Sequence, residues 1–120
     1  LIEKMETLLS EWDAWICPVT STPAFPHHAP SGYFGPTPYY KKPLDVDGRP
    51  LDYYAATSNF TIPFNVTGQP VAVIPIGQTP EGLPIGAQIV GRRWSDLALL
   101  DTAACLAEVM GGWNPPPGYV

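Results

Sequence analysis

The sequence predicts an α/β fold: a few strands of a larger mixed sheet, flanked by helices, with a long proline-rich loop. Three observations lead there. Apolar residues recur at three-four spacing near both ends, as in helices packed by one face. Two apolar runs, Val71–Ile76 and Ile85–Val90, flank the turn-rich stretch Gln78-Thr79-Pro80-Glu81-Gly82-Leu83-Pro84, which reads as two strands and a tight loop. Only three core strands are legible. That is few for an independent sheet, so they are expected to be edge strands completed by others elsewhere.

Residues 1–17 read as a helix and a strand. Leu1, Ile2, Met5, Leu8, Leu9 and Trp12 form the apolar face of the helix, with Glu3, Lys4, Glu6 and Ser10 opposite. Ala14-Trp15-Ile16-Cys17 is expected to be a buried strand stopped by Pro18. Residues 18–52 read as a proline-rich loop and a hairpin. Seven of the sixteen prolines fall in 18–44, which is expected to be an ordered loop without regular structure. Its aromatics Phe25, Tyr33, Phe34, Tyr39 and Tyr40 argue against disorder. Asp47-Gly48 marks a small hairpin turn. Residues 53–111 read as helix, strand, strand, helix. Asp52 is placed to N-cap the first helix, Pro63 to break it or start a new turn, and Gly68 to cap its end. Ser95 is expected to cap a last helix from Asp96 to Met110, striped by Leu99, Leu100, Ala103, Leu106, Ala107 and Met110 and stopped by Gly111-Gly112. Residues 112–120 are expected to form an irregular tail.

Bulk properties narrow the function. One domain fits 120 residues. Charged residues make up 14%, low against about 25% in soluble domains, while aromatics reach 12%. Much of the surface is therefore expected to face other protein. The net charge of −5, with no basic cluster beyond Arg92-Arg93 and Lys41-Lys42, argues against nucleic acid as a partner. No apolar run approaches the roughly 20 residues that span a bilayer, so no membrane partner is expected. Cys17 and Cys105 are too few for a disulfide scaffold and read as small buried hydrophobes in a reduced, cytoplasmic setting. Asn59-Phe60-Thr61 and Asn65-Val66-Thr67 match glycosylation sequons, but nothing reads as a signal peptide. The first residue, Leu1, is expected to mark either a start other than a natural initiation site or one from which processing has removed the initiator.

The ordered motifs carry a resemblance. Asp13-Ala14-Trp15-Ile16-Cys17-Pro18-Val19-Thr20, then Asn65-Val66-Thr67-Gly68-Gln69-Pro70, Ile74-Pro75-Ile76-Gly77, Gly82-Leu83-Pro84-Ile85-Gly86-Ala87-Gln88-Ile89-Val90-Gly91, and the helix from Asp96 resemble the C-terminal segment of the amidase signature family over residues 1–111. The resemblance implies amide hydrolysis through an acyl-serine intermediate. In that family a serine nucleophile is activated by a second serine and a lysine, and backbone amides form an oxyanion hole. Unaided serine is a weak nucleophile and needs such a relay. Ser10, Ser21, Ser31, Ser58 and Ser95 all lie outside any Gly/Ser-rich run, so no residue here is assigned to the triad. The implied partners are the N-terminal remainder of the amidase, in the same or a separate chain, and a small amide; a homodimer is one assembly it allows. No cofactor is called for.

The remaining residues are read as follows. Asn65, Gly68, Pro70, Pro75, Gly77, Gly82, Pro84, Gly86, Gln88 and Gly91 are expected to be architectural: glycines at tight turns or close approaches, Pro75 and Pro84 at strand boundaries, Asn65 satisfying backbone groups, and Gln88 needing hydrogen-bond partners if buried. Thr20, Ser21, Thr22, Pro23 and Phe25 follow a strand end and are the candidates for lining a substrate pocket. His27-His28 lacks metal-ligand spacing, and Asp45, Asp47 and Asp52 lack the calcium-loop pattern. A different class of function, a non-catalytic Pro/aromatic-rich interaction module, is the alternative.

Overall fold

The computed structural model describes residues 1–115 and Gly118. The expected tail is described only in part, because Pro116, Pro117, Tyr119 and Val120 lie outside those residues. Among the described residues, four helices and seven strands follow in the order α1 (Ile2–Ser10), β1 (Trp15–Pro18), β2 (Gly32–Phe34), β3 (Thr37–Tyr39), β4 (Leu44–Val46), β5 (Arg49–Leu51), α2 (Tyr53–Ser58), α3 (Ile62–Thr67), β6 (Val71–Gln78), β7 (Pro84–Val90) and α4 (Asp96–Val109).

The main sheet has the order β1-β7-β6, with both pairings antiparallel. Strand β7 is its centre. Alternate residues of a strand point to opposite faces, and Ala87, Gln88, Ile89 and Val90 are all buried, so both faces of β7 are covered. Val90 packs with Met5 and Leu9 of α1 and Phe64 of α3. Ile89 packs with Ile74 of β6 and with Leu99 and Ala103 of α4. The result is a helix–sheet–helix layering, the expected α/β class. Gly91 lets α4 close on the sheet: a Cβ there would lie 3.2 Å from Leu99 Cβ.

Polar side chains fasten α1 to the rest. Gln69 Nε2 donates to Glu6 Oε1 at 3.0 Å, and the Thr67 hydroxyl contacts Gln69 Oε1. Arg92 Nε donates to the Leu9 carbonyl at 2.6 Å, placing a cation where the negative end of the α1 dipole leaves carbonyls free.

Several local expectations hold. Asp52 Oδ1 accepts from Tyr54 N and Ala55 N, an N-cap. Pro63 lies in the first turn of α3, and Gly68 closes that helix with a left-handed φ of 73°. Asp47 and Gly48, with φ of 53° and 77°, turn the β4–β5 hairpin, and Asp45 Oδ1 accepts from Gly48 N. Left-handed Gly111 and Gly112 follow α4.

Other expectations are corrected. The loop over 18–44 contains a second hairpin, β2–β3, turned at Gly35 (φ 58°) and Pro36. Pro36 in the turn and Pro38 inside β3 hide the strand pattern. The strand at Ala14–Cys17 is not buried in this chain. It forms an edge of the sheet, with Ala14 and Cys17 half-buried and Ile16 54% exposed. Ser95 occupies the N-cap position of α4, but its hydroxyl donates to the Arg92 carbonyl instead of capping. Leu100 and Met110 of the expected stripe are exposed, as is Cys105. Pro75 lies inside β6, not at its boundary.

The surface reports on what the chain lacks. Accessible area is 8662 Å², against about 6,300 Å² for a compact monomer of this mass. The radius of gyration is 16.6 Å, against about 13.6 Å for a compact domain of this length. Trp12, Trp15, Ile16, Leu97, Leu100 and Val109 are among the large apolar side chains left in contact with water. The core around β7 is covered, but so many exposed large apolar side chains outside it are unlike a free-standing interaction module.

Candidate functional site

A cleft of about 440 Å³ opens at one end of the main sheet. Three strand ends meet there: the C-terminal end of β1, the C-terminal end of β6 and the N-terminal end of β7. The loop leaving β1 forms one wall with Val19, Thr20, Thr22, Pro23 and Ala24; Ile76 of β6 and Ile85 of β7 also line it.

Gln88 is the buttress beneath this wall. It is 1% exposed, and its Nε2 donates to the Pro18 carbonyl and the Phe60 carbonyl, both at 2.7 Å. The two N–H groups of one amide thus fix the end of β1 and the α2–α3 junction. Those are the partners that a buried glutamine required. Beside it, burial pushes the Cys17 thiol pKa up, and its hydrogen bond with Gln88 offsets part of that shift.

The loop residues named from the sequence divide into two groups. Thr20, Thr22 and Pro23 line the cleft. Thr20 Oγ1 donates to the Thr22 carbonyl at 2.6 Å and Thr22 Oγ1 to the Pro23 carbonyl at 3.2 Å, which stiffens the wall. Ser21 is directed elsewhere: its N–H donates to the Ala56 carbonyl at 2.9 Å, tying the loop to α2. Phe25 lies against Tyr53, edge to face at 6.0 Å, and against His28 at 5.9 Å. Ser21 and Phe25 are therefore loop anchors and not wall residues.

The motif residues serve the backbone in different ways. Pro70 accepts from Gly91 N at 3.0 Å, closing the base of the β6–β7 pair. Gly82, at φ 85°, turns the loop between those strands, and Pro84 opens β7. Gly86 allows close approach, since a Cβ there would lie 3.0 Å from Val73 Cγ1. Pro75-Ile76-Gly77 is a β-bulge: Pro75 pairs with Gly86 and Gly77 with Ile85, which leaves Ile76 as the extra residue. Asn65 departs from expectation. It is exposed and lines a separate surface cleft with Gln69 and Trp94.

Three of the serine hydroxyls are engaged with backbone, and Ser58 Oγ lies 3.4 Å from Thr57 Oγ1. Ser10 and Ser95 donate to carbonyls, and Ser31 Oγ accepts from the backbone N–H of Lys41, not from its ammonium group. Among the described residues, no three His, Cys, Asp or Glu side chains stand together as a metal site. Sequence reasoning missed Ile76 and Ile85 as wall residues. The available signal was Pro-x-Gly inside an apolar run, since proline within a strand marks a bulge or an edge.

Comparison with known proteins places this geometry. The family model described as Amidase matches residues 1–100. The fatty acid amide hydrolase of Medicago truncatula is 40% identical over 52 residues, 43% of this chain and 9% of that protein. The 6-aminohexanoate-cyclic-dimer hydrolase of Paenarthrobacter ureafaciens is 41% identical over 68 residues, 54% of this chain and 14% of that protein. Among solved structures, 6-aminohexanoate cyclic dimer hydrolase aligns with a TM-score of 0.61 and 32% identity, over 91% of this chain and 22% of that one. The chain spans less than a fifth of the length of these two curated relatives. With its layered sheet and its ordered glycine and proline motifs, the chain belongs to the amidase signature family, as a C-terminal segment of it.

Proposed function

We propose that this chain completes one end of an amidase sheet and walls part of its acyl pocket, in an enzyme that hydrolyses a carbon–nitrogen amide bond. The observation that carries the proposal is the amidase match over residues 1–100. The nucleophile is a serine outside these 120 residues. Its Oγ attacks the amide carbonyl, its proton passes through a second serine and a lysine to the departing amine, and an acyl ester remains. Water then attacks the ester, releasing the carboxylic acid and restoring the serine. Donors aimed at the developing oxyanion lower both barriers. The cleft at the end of β1 holds the acyl side of the substrate. The apolar edge of β1 and the uncovered face of α4 are where the remainder of the enzyme packs, which accounts for the excess of surface.

Denaturing intact-mass measurement of the native material is the first test. A species several times heavier than 13.0 kDa, or a second co-purifying chain with a Gly/Ser-rich motif, is expected. The kinetic test is Thr22→Trp in the complete enzyme, which fills the cleft. The expected result is a loss of kcat/KM of at least about tenfold with an unchanged circular dichroism spectrum. Unchanged kinetics would overturn the assignment of this cleft.

A further inference from the structure

We propose that Ile76 sets which acyl group the cleft accepts, and that it selects an uncharged, apolar one. This rests on the reading of the cleft as an amidase pocket. The backbone supplies the first argument. Val71 to Pro75 pair one for one with Val90 to Gly86, and pairing resumes between Gly77 and Ile85. Pro75 has no N–H to continue the ladder, so the strand bulges and Ile76 is left without a partner across it. Bulges beside binding sites commonly aim one side chain, and this one places Ile76 in the lining of the cleft.

The chemistry of the wall supplies the second argument. Ile16, Val19, Ile76 and Ile85 share the lining, and among the described residues no charged side chain is part of it. The hydroxyl protons of Thr20 and Thr22 are already given to carbonyls. A carboxylate or ammonium on the acyl group loses water here and meets no counter-charge from this wall, which is heavily unfavourable. A volume of about 440 Å³ suits a small organic group.

The test compares hexanamide with adipamate, the monoamide of the same chain length that ends in a carboxylate, using the complete amidase. The expected kcat/KM for hexanamide exceeds that for adipamate by at least about 100-fold. Ile76→Arg is expected to cut that ratio at least tenfold by admitting the carboxylate, while Ile76→Leu preserves it. If the arginine variant does not fold, Ile76→Thr replaces it, with the ratio expected to fall by about tenfold as the wall gains a hydroxyl. Equal rates on the two amides in the unaltered enzyme overturn the substrate class and leave the amidase reading standing. A ratio unmoved by folded Ile76 variants overturns the role of Ile76. Failure to hydrolyse any amide overturns the amidase reading, and this proposal with it.

Discussion

Gln88 donates from one amide to Pro18 at the end of β1 and to Phe60 between α2 and α3. Gln88→Leu keeps the volume and leaves two carbonyls without donors. The expected cost is about 2–6 kcal/mol, from roughly 1–3 for each of the two unsatisfied groups, read as a lowered urea midpoint of the complete enzyme. An unmoved midpoint would show that water replaces both donors. The two thiols give a second residue-scale prediction. Cys105 is exposed and Cys17 half-buried. Burial raises the Cys17 pKa above the ordinary 9.0, so less of its reactive thiolate exists at any pH. In the 120-residue chain, iodoacetamide is expected to label Cys105 first and Cys17 only as the pH climbs beyond 9; equal labelling rates at pH 8 contradict this. Because the folded pKa is raised, Cys17 contributes its stability below pH 9.0 and loses it as pH rises through the folded value.

Among the elements, α4 and the central strand depend on each other. Leu99 packs against Ile74 and Ile89, and Gly91 leaves the space for it. Gly91→Ala places a methyl 3.2–3.4 Å from three Leu99 atoms. The expected destabilisation is about 1–3 kcal/mol, the usual range for overpacking, measured by thermal unfolding of the complete enzyme. Asp52→Ala removes the carboxylate that caps α2. A loss of about 1 kcal/mol is expected, and no change in Tm would mean that solvent caps the helix as well. Outward, α4 carries Leu97, Leu100 and Val109 in contact with water. A helix apolar around most of its circumference is one that other protein covers.

For the whole molecule, the surface excess of about 2,300 Å² over a compact monomer is larger than the roughly 800 Å² that one partner buries in a standard protein–protein interface. The 120-residue chain by itself is expected to bind an apolar dye such as ANS, to unfold with little cooperativity, and to hydrolyse no amide. A sharp unfolding transition together with no dye binding would mean that the segment closes its own core. Robust hydrolysis by the pure chain would overturn the placement of the nucleophile outside it.

The sequence by itself determined the local elements whose cause is local. Period-3.6 and apolar runs marked α1, α4, β6 and β7, Asp47-Gly48 marked one hairpin, and Asp52, Pro63 and Gly68 marked helix boundaries, because caps and turns are decided by a few adjacent residues. It also carried the family, through motifs spread over residues 1–111. The β2–β3 hairpin was not legible, since Pro36 and Pro38 mask the alternation that announces a strand. Only the tertiary structure decided that β7 is central and β1 an edge, because strand order depends on pairings between residues some 70 positions apart, such as Cys17 with Gln88. It alone separated Thr20, Thr22 and Pro23 in the cleft wall from Ser21 and Phe25 behind it, and brought Ile76 to that wall. A side chain's direction is fixed by what its backbone pairs with across the sheet, and that information is not local.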